Sequence, residues 1–373
     1  MHRALLAVLL TAAASAQPAG TTAERLDAAV RAYHDAGQFE GVVLVVEGAP
    51  DAPRVLYEGA FGQADRAWGI PMEPDVRFPF ASVTKQVAAV LAHLLEMDGR
   101  LDLDASVSRY VPGLVPSDAV LVRHLLDHTS GLPDINERQD EAWACGLLNV
   151  EDDSLSGPAD LVRRFAGGPL RTTPGETVAY SNTDTLVLQA VMEAVTGQSF
   201  EALVRSRVLD PLGMETAGVF RQGAVVPRLA ESYEGDRPAG CFARWRLGAA
   251  AAMYGTAADL ARFDLALMAG DLLPPERLET LWASTAERGW VAQGAWAYPK
   301  AVGGGSVFVV ERQGRFDPQW ALNVLLPESG RAVVILKNAG DASLSGLAWQ
   351  PGLPDDLVRV LSGEPPTGPA RDD

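Results

Sequence analysis

Strand-forming sequence lies at the two ends of this 373-residue chain, and the long stretch between them reads as helices and loops. Residues 41–47 (Gly-Val-Val-Leu-Val-Val-Glu) are a β-branched run bounded by turn residues, the pattern of a buried strand. Residues 54–60 pair with it across Gly48-Ala49-Pro50-Asp51 as a hairpin. Near the other end, residues 304–311, 320–326 and 332–337 are three β-rich runs separated by Gly, Pro or Asp. Strands at both ends imply one antiparallel sheet closed by the two halves of the chain. The expected fold class is therefore α+β. In it, residues 22–80 and 290–361 build a sheet flanked by helices, and residues 81–289 form an inserted all-helical lobe. A cleft between the two lobes is the natural place for a site.

The helices are read from apolar spacing. Residues 22–36 carry Leu26, Ala29, Val30 and Tyr33 on one face. A long helix begins at Ser82, with Val87, Val90, Leu91, Leu94 and Leu95 at helical spacing and Gly99 as its stop. Residues 120–128, 158–166, 183–196, 200–209 and 257–268 are further candidates. A last helix covers 354–361, and residues 362–373 read as a disordered tail.

The chain starts Met1-His2-Arg3, continues with an apolar run over residues 4–13, and then presents Ala14-Ser15-Ala16. That is the pattern of a secretory signal peptide over residues 1–16, too short to span a bilayer. No Cys follows the run, so a lipid anchor is not expected, and the mature protein should be exported (periplasmic or extracellular). A net charge of −17 argues against nucleic acid or anionic lipid as a partner. Two cysteines, Cys145 and Cys241, can form a disulfide in that compartment or remain as two thiols. The five histidines are scattered with no metal-ligand spacing, so no metal or other cofactor is expected.

The chemistry begins with a scarcity. Only three lysines, Lys85, Lys300 and Lys337, stand against 28 arginines. A guanidinium stays charged at any pH a protein meets, whereas an ammonium can lose its proton. Lys85 follows Ser82 by three residues in Phe80-Ala81-Ser82-Val83-Thr84-Lys85, which puts both side chains on one helix face about 5–6 Å apart at Cβ. Ser82 also sits at the helix start, where the dipole favours negative charge on its oxygen and its backbone N–H can serve an oxyanion. A second constellation is Tyr180-Ser181-Asn182, shortly after Thr173-Pro174-Gly175. A tyrosine beside Lys85 ionises more easily and can act as base and then acid, and Asn182 can donate to a substrate carbonyl. The plainer readings are a helix cap with a solvated lysine at Ser82 and Lys85, a packing aromatic at Tyr180, and an N-cap at Asn182.

With these elements in view, the chain resembles the serine β-lactamase-like family: class C β-lactamases, D-alanyl-D-alanine carboxypeptidases and related esterases. Ser82-x-x-Lys85 and Tyr180-x-Asn182 carry the resemblance. So do Leu125-Leu126-Asp127-His128-Thr129-Ser130-Gly131-Leu132, Pro211-Leu212-Gly213-Met214 and Gly255-Thr256-Ala257-Ala258-Asp259-Leu260. The resemblance implies that Ser82 is the acylated nucleophile, that Lys85 and Tyr180 share proton transfer, and that Asn182 holds substrate. It assigns His128 to a structural turn, and Asp127 with it.

The family's third element is Lys-Thr-Gly or His-x-Gly on the strand lining the cleft. The matching stretch here is Tyr298-Pro299-Lys300-Ala301-Val302-Gly303-Gly304-Gly305-Ser306, which places Val302 at the cation position and keeps Gly304 as the glycine. Gly305 is then the second oxyanion donor. Lys300 either reaches the cleft from a displaced position or is a surface lysine. Two long segments, 133–157 with Trp143 and 221–250 with Tyr233, Phe242 and Trp245, are expected to shape the pocket. The expected function is an exported serine hydrolase acting through an acyl-enzyme on a small-molecule or peptide substrate: an ester, a D-amino-acid amide or peptide, or a β-lactam. The alternatives are a catalytically silent binding or sensor protein, motivated by the altered third element, and a slowly deacylating penicillin-binding protein.

Overall fold

A computed structural model describes residues 20–135, 157–239, 244–316, 318–340 and 347–369. Residues 1–16, Cys145, Cys241, Trp143 and Phe242 lie outside them, as does the side chain of Trp245.

The main elements are α1 (Thr22–Asp35), β1 (Glu40–Glu47), β2 (Arg54–Phe61), α2 (Thr84–Met97), α3 (Asn182–Thr196), α4 (Ala257–Ala269), β3 (Trp296–Val302), β4 (Gly305–Phe316), β5 (Gln319–Leu326), β6 (Arg331–Ala339) and α5 (Leu353–Leu361). The strands form one six-stranded sheet in the order β3-β4-β5-β6-β1-β2. Every neighbouring pair is antiparallel. Strands from the two ends of the chain meet where β1 pairs with β6, Val43 opposite Ile335.

Helices cover both faces of this sheet, which explains why β1 reads as an unbroken apolar run. Its alternate residues serve two cores. Val43 and Val45 join Leu26, Val30 and Tyr33 of α1 and Leu357 of α5 on the outer face. Val42, Leu44 and Val46 face the opposite way, into the core that also holds α2, α3 and α4. A strand in such a position has no solvent side on which to place polar residues. β2, at the edge, carries exposed residues along its length.

Two boundaries differ from the expectation. α4 falls within the stretch assigned to the helical lobe, yet it packs on β1, β5 and β6. One apolar core runs from the sheet into the helices, so the lobes share their interior. The tail is also ordered through its described part. The Asp356 carboxylate accepts from the backbone N–H groups of Thr367 (2.5 Å) and Gly368 (2.9 Å). Hydrogen bonds to a buried carboxylate supply what the tail's polar composition does not. Among the described residues no helix is long and apolar enough to cross a membrane.

Candidate active site

The chain reaches Ser82 through a constrained turn. Phe80 donates its N–H to Met253 O at 2.8 Å, and Ala81 then adopts φ +46°, a left-handed conformation costly for a residue with a Cβ. A single 3₁₀ turn, Ala81–Val83, leads into α2. Ser82 is thus held at the helix start, half-buried, with Lys85 one turn deeper and only 2% exposed.

The Lys85 ammonium donates to Ser82 Oγ (3.1 Å), Asn182 Oδ1 (2.8 Å) and Ala250 O (2.7 Å). Three donors meet three acceptors, so the charged form is fully used. Burial drives the Lys85 pKa down, Arg312 adds to that, and Tyr180 opposes it. Ser82 Oγ lies 2.7 Å from the Tyr180 hydroxyl, and Arg312 Nη2 donates to the same phenol oxygen at 3.0 Å. Ser82 Oγ and the Tyr180 hydroxyl share one short hydrogen bond in which either oxygen can donate, so with Tyr180 ionised the Ser82 proton points at it. Tyr180 is 45% exposed as a residue, but its hydroxyl is enclosed by its partners; that loss of water pushes the phenol up, and Lys85 and Arg312 outweigh it and hold Tyr180 below the ordinary tyrosine range. The geometry is that of a base positioned on a hydroxyl.

Tyr180 and Asn182 reach the site from the start of α3. Asn182 is the first helical residue, with its N–H donated to Asp134 Oδ2 at 2.5 Å. Its side chain is therefore not a cap. The amide oxygen faces Lys85, which leaves the amide nitrogen to face the cleft. That cleft measures about 320 Å³ and is lined by Ser82, Tyr180, Asn182, Trp296, Arg312, Gln313 and Arg315.

The third wall is β4, in a different register from the one expected. Arg312 is 2% exposed. It donates through Nε to Ser82 O (3.0 Å), with its guanidinium between the rings of Tyr180 (5.0 Å) and Trp296 (4.8 Å). Two residues on, Gly314 passes so close to the Ser82 turn that a Cβ there would lie 2.6 Å from Ser82 N and 2.2 Å from Phe80 O. Only glycine permits that approach.

The pairing also decides which backbone groups face the cleft. Val302 and Gly305 flank a two-residue hairpin loop, and Phe316 pairs with Gln319 where β4 meets β5. Such loops are closed by hydrogen-bonded pairs, and the pairs alternate along the ladder. Residues 305, 307, 309 and 311 therefore bond toward β3, and 312, 314 and 316 toward β5. Pairing with β3 ends at Trp296–Glu311. Beyond it, Gln313 and Arg315 present their N–H groups at an uncovered edge beside Ser82.

Three expected site residues are accordingly elsewhere. Lys300 is buried on the outer face in an ion pair with Asp355 of α5. Gly304 sits in the exposed hairpin loop and Gly305 just after it, about 30 Å along the strand from Gly314. The triple glycine drew the register to the turn, where glycines serve the hairpin: Gly303 has φ +54°. Arg312, Gly314, Arg315 and Trp296 were missed. The available signal was Arg312-Gln313-Gly314, a cation two residues before a glycine just past the end of the β-rich run. Tyr233, expected near the pocket, is buried instead, accepting from Arg66 N at 2.7 Å under the Arg66 guanidinium.

The comparisons with known proteins agree with this architecture. Esterase EstB of Burkholderia gladioli is 35% identical over 231 residues, 59% of this chain and 57% of the esterase. Penicillin-binding protein 4* of Bacillus subtilis (strain 168) is 32% identical over 185 residues, 50% of this chain and 39% of that protein. The matches thus span about half the length of these curated relatives. A solved structure of D-amino acid amidase from Ochrobactrum anthropi SV3 is 26% identical at TM-score 0.71, covering 91% of this chain and 98% of that one. The Beta-lactamase family model matches residues 26–343, and the chain belongs to that family.

Proposed function

We propose that this protein is an exported serine hydrolase that works through an acyl-enzyme on Ser82. The observation that carries the reading is the placement of Ser82 Oγ between the Lys85 ammonium (3.1 Å) and the Tyr180 hydroxyl (2.7 Å). In the forward step Tyr180 takes the Ser82 proton as Oγ bonds to the carbonyl carbon of an ester or amide. The oxyanion lies against the N–H groups of Ser82 and Arg315, the second replacing Gly305 in that role. Collapse breaks the carbonyl–leaving-group bond, and Tyr180 returns the proton to the departing alcohol or amine. In deacylation Tyr180 takes a proton from water as its oxygen bonds to the acyl carbon; collapse breaks the carbon–Oγ bond, and Tyr180 returns the proton to Ser82 Oγ.

The substrate class is an ester, a D-amino-acid amide or peptide, or a β-lactam. It is supported by relatives named esterase, penicillin-binding protein and D-amino acid amidase. A silent binding protein was motivated by a missing cation, and Arg312 removes that motive. Export rests on the pattern of residues 1–16.

The test is intact mass after incubation with a serine-reactive phosphonate and a fluorescent penicillin, on the mature protein and on Ser82→Ala. A phosphonate adduct that disappears in the variant is expected. An adduct that survives would remove Ser82 from the mechanism. Turnover of aryl esters, D-amino-acid amides and penicillin then ranks the substrate classes.

A further inference from the structure

Behind Tyr180 lies a buried residue that the reaction scheme does not use. His128 is 3% exposed and adopts φ +57°, a conformation uncommon for a residue with a side chain. That turn aims its carbonyl and its ring at the same short segment. His128 O accepts from Ala179 N at 2.8 Å, and His128 Nδ1 faces Ser181 N at 3.4 Å. The imidazole meets the Tyr180 ring edge-on at 4.8 Å and 62°. One residue therefore touches the backbone immediately before Tyr180, the backbone immediately after it, and the ring itself.

We propose that His128 is the positioning residue for Tyr180, fixing where the phenol oxygen stands relative to Ser82, Lys85 and Arg312. The inference rests on the hydrolase reading above, in which that oxygen is the base.

The surroundings explain how His128 is held. Asp184, in the first turn of α3, places Oδ2 3.1 Å from Nδ1, and Ser130 donates to its other oxygen. Nδ1 carries either one proton or one lone pair in the ring plane, and its contact with Asp184 (3.1 Å) is shorter than that with Ser181 N (3.4 Å), so Asp184 is the partner that holds the ring. Burial pushes Asp184 well up, with Asp134 and Asp127 adding to it. Burial drives His128 well down, with Arg312 and Lys85 adding to it. Burial thus disfavours charge on both partners, and the further carboxylate on this side, Asp134, accepts from Asn182 N at 2.5 Å. Asp127, next in sequence, is held away by Thr129 Oγ1 (2.6 Å) and Arg288 (3.3 Å).

Two measurements on His128→Asn, Asp184→Asn and Asp184→Ala test the inference. Ultraviolet tyrosinate titration, taken as the difference from Tyr180→Phe, reads the Tyr180 ionisation directly. Steady-state kinetics with an aryl ester read its consequence. Asn tolerates the left-handed backbone and can accept from Ser181, but it offers no ring. In His128→Asn the Tyr180 midpoint should rise by about one pH unit as the phenol drifts from its two cations, and kcat should fall about tenfold at little-changed KM. Asp184→Asn keeps a hydrogen-bonding amide against Nδ1 and should stay near wild type, whereas Asp184→Ala should behave like His128→Asn. An unmoved midpoint with wild-type kcat in His128→Asn overturns the inference. If His128→Asn does not fold, equal behaviour of the two Asp184 variants overturns it instead. A shifted midpoint in a protein whose Ser82 takes no phosphonate would sink the hydrolase reading and leave the positioning role standing.

Discussion

Lys300 and Arg312 are buried cations on the two strands of one hairpin, and they do opposite things. Lys300 pairs in register with Val307, and Arg312 lies five residues beyond that partner, about 17 Å along β4. Five is odd, so the two side chains leave the sheet on opposite faces. Lys300 points toward α5, where Asp355 neutralises it. Arg312 points at the Ser82 turn, where it meets a carbonyl, a phenol oxygen and two aromatic rings rather than a carboxylate. A cation closed by a counter-ion stabilises structure. A cation left facing a phenol lowers that phenol's pKa and so favours reactivity.

Arg312→Met should have the largest effect. Removing one of the two cations at Tyr180 raises its pKa, so the acid limb of the pH–rate profile should move to higher pH. In steady-state kinetics, kcat/KM should drop roughly a thousandfold, about 4 kcal/mol. Arg312→Lys should recover only part of that loss, since an ammonium restores the charge without the planar fork. A wild-type profile in Arg312→Met would erase the contrast.

Lys300→Met should reverse the pattern. Leaving Asp355 buried and unpaired should cost about 3–5 kcal/mol in urea unfolding, while the folded fraction keeps its kcat/KM. Lost catalysis at unchanged stability would return Lys300 to the cleft.

Glu311 refines the comparison with the smallest effect. It neighbours Arg312 in sequence but faces the Lys300 side, accepting from Tyr298 OH (2.5 Å) and Ala348 N (2.8 Å). Burial raises its pKa from 4.5 to about 7. The folded protein then holds a proton that the unfolded chain has already released. The associated stability is full below about pH 4.5 and is lost as the pH rises to about 7. Glu311→Gln should flatten that dependence by at most ~1.4 kcal/mol per pH unit, with kcat unchanged. The same pH dependence of the urea midpoint in Glu311→Gln as in wild type would show that Glu311 carries none of it.

The same hairpin marks how far the sequence could be read. Ser82 and Lys85 share one helix turn, so their juxtaposition follows from local geometry alone. The sheet was readable because β1 and β6 each carry an unbroken apolar run, Val42–Val46 and Ala332–Leu336, and the start of α3 was readable because Tyr180-Ser181-Asn182 sits just ahead of a periodic segment. The end of β4 was not. Its last residues, Arg312 to Phe316, include three that are polar or charged, since they serve a site and not a core, and the apolar signal stops at Val310. The glycines at 303–305 offered a more obvious match, but a turn and a close strand approach demand the same residue type.

The sequence by itself determined the strand-poor middle between two β-rich ends, the Ser-x-x-Lys turn and the Tyr-x-Asn segment. Each is encoded in side chains a few residues apart, where backbone geometry sets the distance. Only the tertiary structure decided which cation, which glycine and which buried histidine complete the site. Ser82 and Tyr180 are 98 residues apart, Tyr180 and Arg312 are 132 apart, and Tyr180 and His128 meet through a turn on a different segment. Packing of turns and a helix start sets the first and last of these contacts; strand register sets the one with Arg312, and a shift of one residue would have turned it to the other face.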